Sequence, residues 1–204
     1  MWQVYYLGVS DLASSWSIRY AMSQTPWDLG EAHTELVARL TTDSALGLGT
    51  PGRVLVPGCG SGHDAGALAN HGWQVTALDF APSARGLVEE KLGSQGTFVL
   101  GDLFEYRPGQ PFDLVFDHTC FCAVDPDRRL AYGEAAAHWV NPGGRLISIV
   151  FPMGKPVEHG GPPHAMSTDD LRVALGESFA LVEDTEADCS GRRWQTRWAV
   201  FERL

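Results

Sequence analysis

One stretch limits this chain to a narrow range of folds. Residues 53–80 read RVLVPGCGSGHDAGALANHGWQVTALDF. They join a short apolar strand (Val54, Leu55, Val56), a glycine-rich turn (Gly58, Gly60, Gly62), a helical segment, a second strand from Val75 to Leu78, and an acid, Asp79, at its end. Glycines at 58 and 60 let backbone approach a ligand with no Cβ in the way. An acid about 20 residues further on lies at the next strand tip, where it can accept bonds from ribose hydroxyls. This is half of a nucleotide site, and Cys59, inside the turn, and Phe80, beside the acid, belong to it.

The third glycine of the dinucleotide pattern is missing, because His63 stands in its place. That glycine lets a helix pack closely while its N-terminus meets a pyrophosphate, so its loss fits a cofactor without one, such as S-adenosylmethionine. A nicotinamide dinucleotide and a tight turn with no ligand stay open as alternatives.

From Arg53 onward strands and helices alternate. Strands are expected at 53–57, 74–79, 97–100, 113–118 and 145–151, and helices near 63–71, 83–92 and 127–139. This pattern predicts a mainly parallel α/β sheet with helices on both faces. Two closing strands, near 178–184 and 194–202, are close enough in sequence to form an antiparallel edge pair, which makes seven strands in all. Ser167 with Asp170 predicts a capped helix between 167 and the first of these strands. Residues 10–50 read as helical, with Asp11 as a possible cap and an apolar stripe of Leu36, Val37 and Leu40 on a helix over 31–40. Thr25-Pro26-Trp27-Asp28-Leu29-Gly30 reads as a rigid turn carrying a large aromatic. MGKPVEHGGPPH, after Phe151, is too long for a plain connector and reads as a functional loop.

At 204 residues the chain is expected to be a single domain, 1–204, with 1–50 a helical cap over the cofactor and 51–204 the core. The formal charge of −10 disfavours a nucleic-acid partner, and Arg192, Arg193 and Arg197 are the only faint basic cluster. No apolar run reaches about 18 residues and the N-terminus has no basic leader, so no membrane partner is expected and the location is expected to be cytoplasmic. Cys59, Cys120, Cys122 and Cys189 are scattered and are expected to be reduced thiols, with no metal bound.

Parallel sheets bind ligands beyond the carboxyl ends of their strands, which directs attention to Asp102, Leu103 and Phe104 and to Asp117 and His118. Asp102 is placed either to meet an adenine amino group, with Leu103 and Phe104 against the ring, or to cap a turn. His118 could take a proton from a nucleophile, orient it, or serve the structure alone. His164 closes the Gly-Pro loop and can approach from the other side.

Together PWDLGE, VLVPGCGSGHDA, LDF, GDLF, FDLVFDHTCFCAVDP, PGGRLISIVFP and GGPPHAMS resemble the thiopurine methyltransferase superfamily, and most nearly its thiol, thiocyanate and halide methyltransferase branch. The resemblance spans residues 16 to about 200. It implies a Rossmann-like class I S-adenosylmethionine-dependent methyltransferase that releases S-adenosylhomocysteine. It implies cofactor contacts from Trp16, Tyr20 and Trp27 above the site and from Gly58, Asp79, Asp102 and Leu103 around it, with Asp79 on the ribose; Cys59, Gly60, Phe80, Phe104, Asp117 and His118, just past the same strand ends, are the further expected contacts. His118 and His164 fall at acceptor positions that are tyrosines in the plant enzymes, and are the expected catalytic pair.

The expected reaction is methyl transfer to a soft small-molecule nucleophile, a thiol first and a halide or thiocyanate next. The alternatives are an O- or N-methyltransferase of a small metabolite, a non-catalytic protein that binds the cofactor, and an NAD-dependent oxidoreductase. The chain is expected to act as a monomer or weak homodimer.

Overall fold

A computed structural model describes residues 16–22, 24–188 and 193–204. The cap expected at Asp11, and Cys189 and Arg192, lie outside the described residues. Residues 16–21 are helical (α1), followed by α2 (Thr34–Thr42), β1 (Arg53–Pro57), α3 (His63–Asn70), β2 (Gln74–Asp79), α4 (Ala84–Leu92), β3 (Gly96–Leu100) and β4 (Phe112–His118). The chain continues with α5 (Arg129–Trp139), β5 (Val140–Met153), α6 (Thr168–Leu175), β6 (Phe179–Ala187) and β7 (Gln195–Arg203).

The seven strands form one sheet in the order β3-β2-β1-β4-β5-β7-β6. β1 to β5 run parallel, and β7 enters antiparallel between β5 and β6. The order reverses between β1 and β4, so the crevice for a ligand opens above those two strand tips. Successive strand residues face opposite sides. Leu55, Val115, Leu146 and Val150 face a core completed by Tyr132 and Trp139 of α5 and Leu171 and Leu175 of α6. Val54, Val56, Leu114, Phe116 and Ile147 face the other, completed by Leu36 and Leu40 of α2, Leu68 of α3 and Val88 of α4. Helices therefore cover both faces, as the alternation predicts.

Three local differences have physical causes. β5 begins at Val140, earlier than 145, because Val140 pairs with Phe112 before the register slips between Phe112 and Leu114. Gly144 permits the slip, since a Cβ there would stand 2.9 Å from the carbonyl oxygens of Asn141 and Asp113. α2 starts at Thr34, not 31, because His33 caps it, with Nδ1 accepting the Glu35 N–H at 3.2 Å. Val37 is 40% exposed, whereas Leu36 and Leu40, one turn apart, are buried. The Ser167 cap is as expected, with Asp170 returning the bond to form a capping box.

Candidate active site

The turn after β1 is built from left-handed glycines, with φ of 57° at Gly58, 56° at Gly60 and 78° at Gly62. A side chain would be strained at each. The missing third glycine costs no close packing, because Gly62 supplies it one residue earlier: a Cβ there would meet Val88 Cγ2 at 3.0 Å and its Cα at 3.1 Å. A Cβ on Gly58 would meet Cys120 Sγ at 2.8 Å, so the turn is pressed against the segment that follows β4.

Asp79, at the tip of β2, braces this turn. Its Oδ2 accepts the Gly60 N–H at 3.0 Å and its Oδ1 the Ala81 N–H at 2.8 Å. Burial pushes its carboxyl above the usual range in spite of these bonds.

Over the turn lies the segment that carries the expected aromatics. Trp16 and Trp27 meet edge to face with centroids 4.8 Å apart, and Tyr20 meets Trp27 at 5.9 Å. The Tyr20 hydroxyl would lie 3.2 Å from a Cβ on Gly60. Burial, and then the nearby Asp79 charge, push that phenol well up. Asp28 fastens the segment down: it bonds the Ser61 hydroxyl, takes the Gly30 N–H at 2.8 Å and lies 3.2 Å from His63 Nε2. Burial opposes its ionisation, but the Ser61, Gly30 and His63 contacts outweigh it and hold the carboxyl low. His63, which the dinucleotide pattern replaces with glycine, thus anchors the segment to the turn.

His118 ends β4 and lines a cavity of about 40 Å³ between the glycine turn, the 27–31 segment and Thr119. Its Nδ1 lies 2.7 Å from Asp64 Oδ2, and the other oxygen of Asp64 accepts the His33 N–H at 2.8 Å. The His33 and His118 rings meet edge to face at 4.9 Å. Burial disfavours the Asp64 charge, but His118 and the His33 N–H more than offset it, and the carboxyl stays below its usual range. Thr119, next in the chain, takes a left-handed φ of 64° and bonds the His118 carbonyl through its hydroxyl at 2.7 Å. A β-branched residue in that region is strained, and such strain marks functional turns.

Other expected residues land differently. The Asp117 side chain turns away from the crevice into the core, because it alternates with His118 along β4. Its carboxylate accepts the Tyr132 hydroxyl at 2.6 Å and the N–H groups of Cys120 and Phe121, and burial pushes its pKa up to about 6. That side chain shapes the turn that follows β4. Asp102 caps a turn, its Oδ1 accepting the Phe104 N–H at 2.8 Å. Phe104 carries the Arg128 guanidinium 3.7 Å from its ring centre, and Leu103 packs on the core. His164 is tied through its N–H to the Cys122 carbonyl at 2.7 Å, and burial lowers its pKa. It lies beside the turn after His118 but does not line the cavity. The residues that sequence reasoning missed are Asp28, Ser61, His33 and Asp64. Their only local signals were the PWD turn and an acid opening α3.

The residues fit a sulfonium nucleoside. The glycine turn after β1 borders the switch point, the buried Asp79 carboxylate holds it through Gly60, and the Tyr20 ring stands over Gly60 with Trp16 and Trp27 beside it. Ring faces attract a cation. A cavity of about 40 Å³ is far below the roughly 300–1,000 Å³ of small-molecule pockets.

Comparison with known proteins agrees with this geometry. The family model described as thiopurine S-methyltransferase matches residues 12–203. The chain is 37% identical to thiocyanate methyltransferase 1 of Brassica oleracea over 88% of its own length and 80% of that protein's. It is 32% identical to probable thiol methyltransferase 2 of Arabidopsis thaliana over 89% and 81%. In fold it is similar to the N-methyltransferase NodS of Bradyrhizobium japonicum, solved with S-adenosyl-L-homocysteine, at a TM-score of 0.76 and 18% identity over 94% of this chain and 98% of that one. With a seven-stranded switch-point sheet, a glycine turn braced by Asp79 and a family match over nearly its whole length, the chain belongs to the thiopurine S-methyltransferase family of S-adenosylmethionine-dependent methyltransferases.

Proposed function

We propose that this enzyme methylates the sulfur of a small thiol. The observation that carries the reading is a paired histidine, His118, lining the cavity beside the glycine turn, with the part-buried carboxylate of Asp64 2.7 Å behind it. When bound, S-adenosylmethionine supplies an electrophilic methyl group on a sulfonium. Around it, Asp79 would hold the ribose while Trp16, Tyr20 and Trp27 cover the cation and exclude water. His118 takes the thiol proton as sulfur becomes nucleophilic, so the attacking species is the thiolate. A thiol of ordinary pKa, about 8.5, is mostly protonated at neutral pH and gains from such a base. His164, beside the turn that follows, would line the acceptor's approach.

The second reading is an acceptor such as thiocyanate, and similarity to the Brassica oleracea thiocyanate methyltransferase favours it. Thiocyanate has no proton to lose, so it makes no use of the His118 pair. For either acceptor, the 16–31 segment must lift from the glycine turn to admit the cofactor. We also propose a cytoplasmic location and a monomeric or weakly dimeric state. Cys59, Cys120 and Cys122 are free thiols, as suits a reducing compartment, and among the described residues no helix is long and apolar enough to cross a membrane.

The test is S-adenosylhomocysteine release, with product mass, over alkyl and aryl thiols, thiocyanate, iodide and phenols. Turnover led by thiols supports the proposal, and turnover led by thiocyanate or iodide supports the second reading. Methylated phenols with inert thiols would overturn both.

A further inference from the structure

We propose that Asp64 is the positioning residue of the acceptor base, holding His118 in the tautomer whose proton sits on Nδ1 and whose lone pair sits on Nε2. The inference rests on the reading of His118 as a base and names the group that makes it one.

Asp64 stands in the first turn of α3, where the positive end of the helix favours a carboxylate. Its side chain is 14% exposed and its two oxygens have different partners. Oδ1 accepts the His33 N–H, a backbone group that can only donate. Oδ2 faces His118 Nδ1 at 2.7 Å, the short distance of a charge-assisted bond. An ionised carboxylate has no proton to give, so Nδ1 must be the donor and the basic lone pair must be on Nε2. His33 is polarised the other way. Its Nδ1 accepts the Glu35 N–H, which leaves its own ring proton on Nε2.

Asp64→Asn separates positioning from packing. The His33 N–H still requires an oxygen, so the amide must turn its NH₂ toward His118. Nδ1 then becomes the acceptor, the ring proton moves to Nε2, and both hydrogen bonds survive while the base is disabled. An Asp-to-Asn change behind a catalytic histidine has this tautomer effect in serine proteases.

Two readouts are paired. The first is ¹⁵N NMR of the histidine rings in wild-type and D64N protein without cofactor. It should show the His118 proton on Nδ1 in the wild type and on Nε2 in D64N, with His33 keeping its Nε2 proton in both as a sign of intact packing. The second is turnover of an alkyl thiol against an acidic aryl thiol that is already ionised at neutral pH. D64N should lose about 10²-fold or more on the alkyl thiol, the scale of general-base catalysis, and no more than about threefold on the aryl thiol. The same His118 tautomer in both proteins, or equal loss on both thiols, would overturn the positioning role. If the wild type methylated no thiol but the tautomer still reversed, the thiol reading would fall and the positioning role would stand.

Discussion

The carboxylate of Asp79 is bound to the backbone of Gly60, 19 residues earlier, at 3.0 Å. The acid that reads from sequence as a ribose ligand is a brace for the glycine turn. Asp79→Ala strands the Gly60 and Ala81 N–H groups, at about 1–3 kcal/mol for each buried group left unpaired. Melting of the cofactor-free protein should therefore fall by about 5–15 °C. An unchanged cofactor-free melting temperature would limit Asp79 to ligand binding.

The need for His118 should depend on how much of the acceptor is already ionised. With an alkyl thiol, His118→Ala should cost about 10²-fold in kcat/KM at pH 6.5, where the thiol is protonated, and less than about tenfold at pH 9.5, where thiolate forms unaided. Steady-state rates at the two pH values decide the matter. Equal losses would mean that the ring packs or binds without taking a proton.

Asp117 makes stability depend on pH. Its folded pKa, about 6, lies above its ordinary value of 3.8, so its favourable contribution is complete below 3.8 and is lost as pH rises through about 6. The span corresponds to about 3 kcal/mol. Asp117→Asn stays neutral, so its melting temperature should gain on the wild type between pH 4 and pH 6 and then hold a constant lead. Parallel melting curves across that window would refute the assignment.

Asp28 pins the segment over the turn through Ser61 and His63, and shapes the segment itself through the Gly30 N–H. Asp28→Ala should speed proteolysis within residues 24–31 and raise the KM for S-adenosylmethionine by about tenfold, with a smaller effect on kcat, as expected when a cover loses its fastening. Unaltered cleavage with an unaltered KM would show that the contacts are incidental.

Most of the scaffold was legible in the chain. Strands β1 and β2 and helices α3 and α4 fall within a residue or two of their expected ends, because apolar runs and glycine turns are local signals that neighbours cannot reassign. Val37 stands outside the buried stripe, because an apolar residue beside a stripe looks the same in sequence whether or not a core reaches it.

The alternation of strand and helix, the glycine-rich turn at Gly58 to Gly62, the acid at the next strand tip and the place of His118 at a strand end all follow from local sequence. Which polar groups meet at the crevice is set by tertiary packing. Asp117 and His118 are neighbours in sequence, yet strand alternation sends one to Tyr132 in the core and the other to the cavity. Asp64 and His118 are 54 residues apart, and Asp28 and Ser61 are 33 apart. They meet because β4 lies beside β1 and α3 starts above both strand tips. A hydrogen bond requires its partners within about 3 Å, and that proximity is set by strand order and packing, to which no local pattern of residues is sensitive.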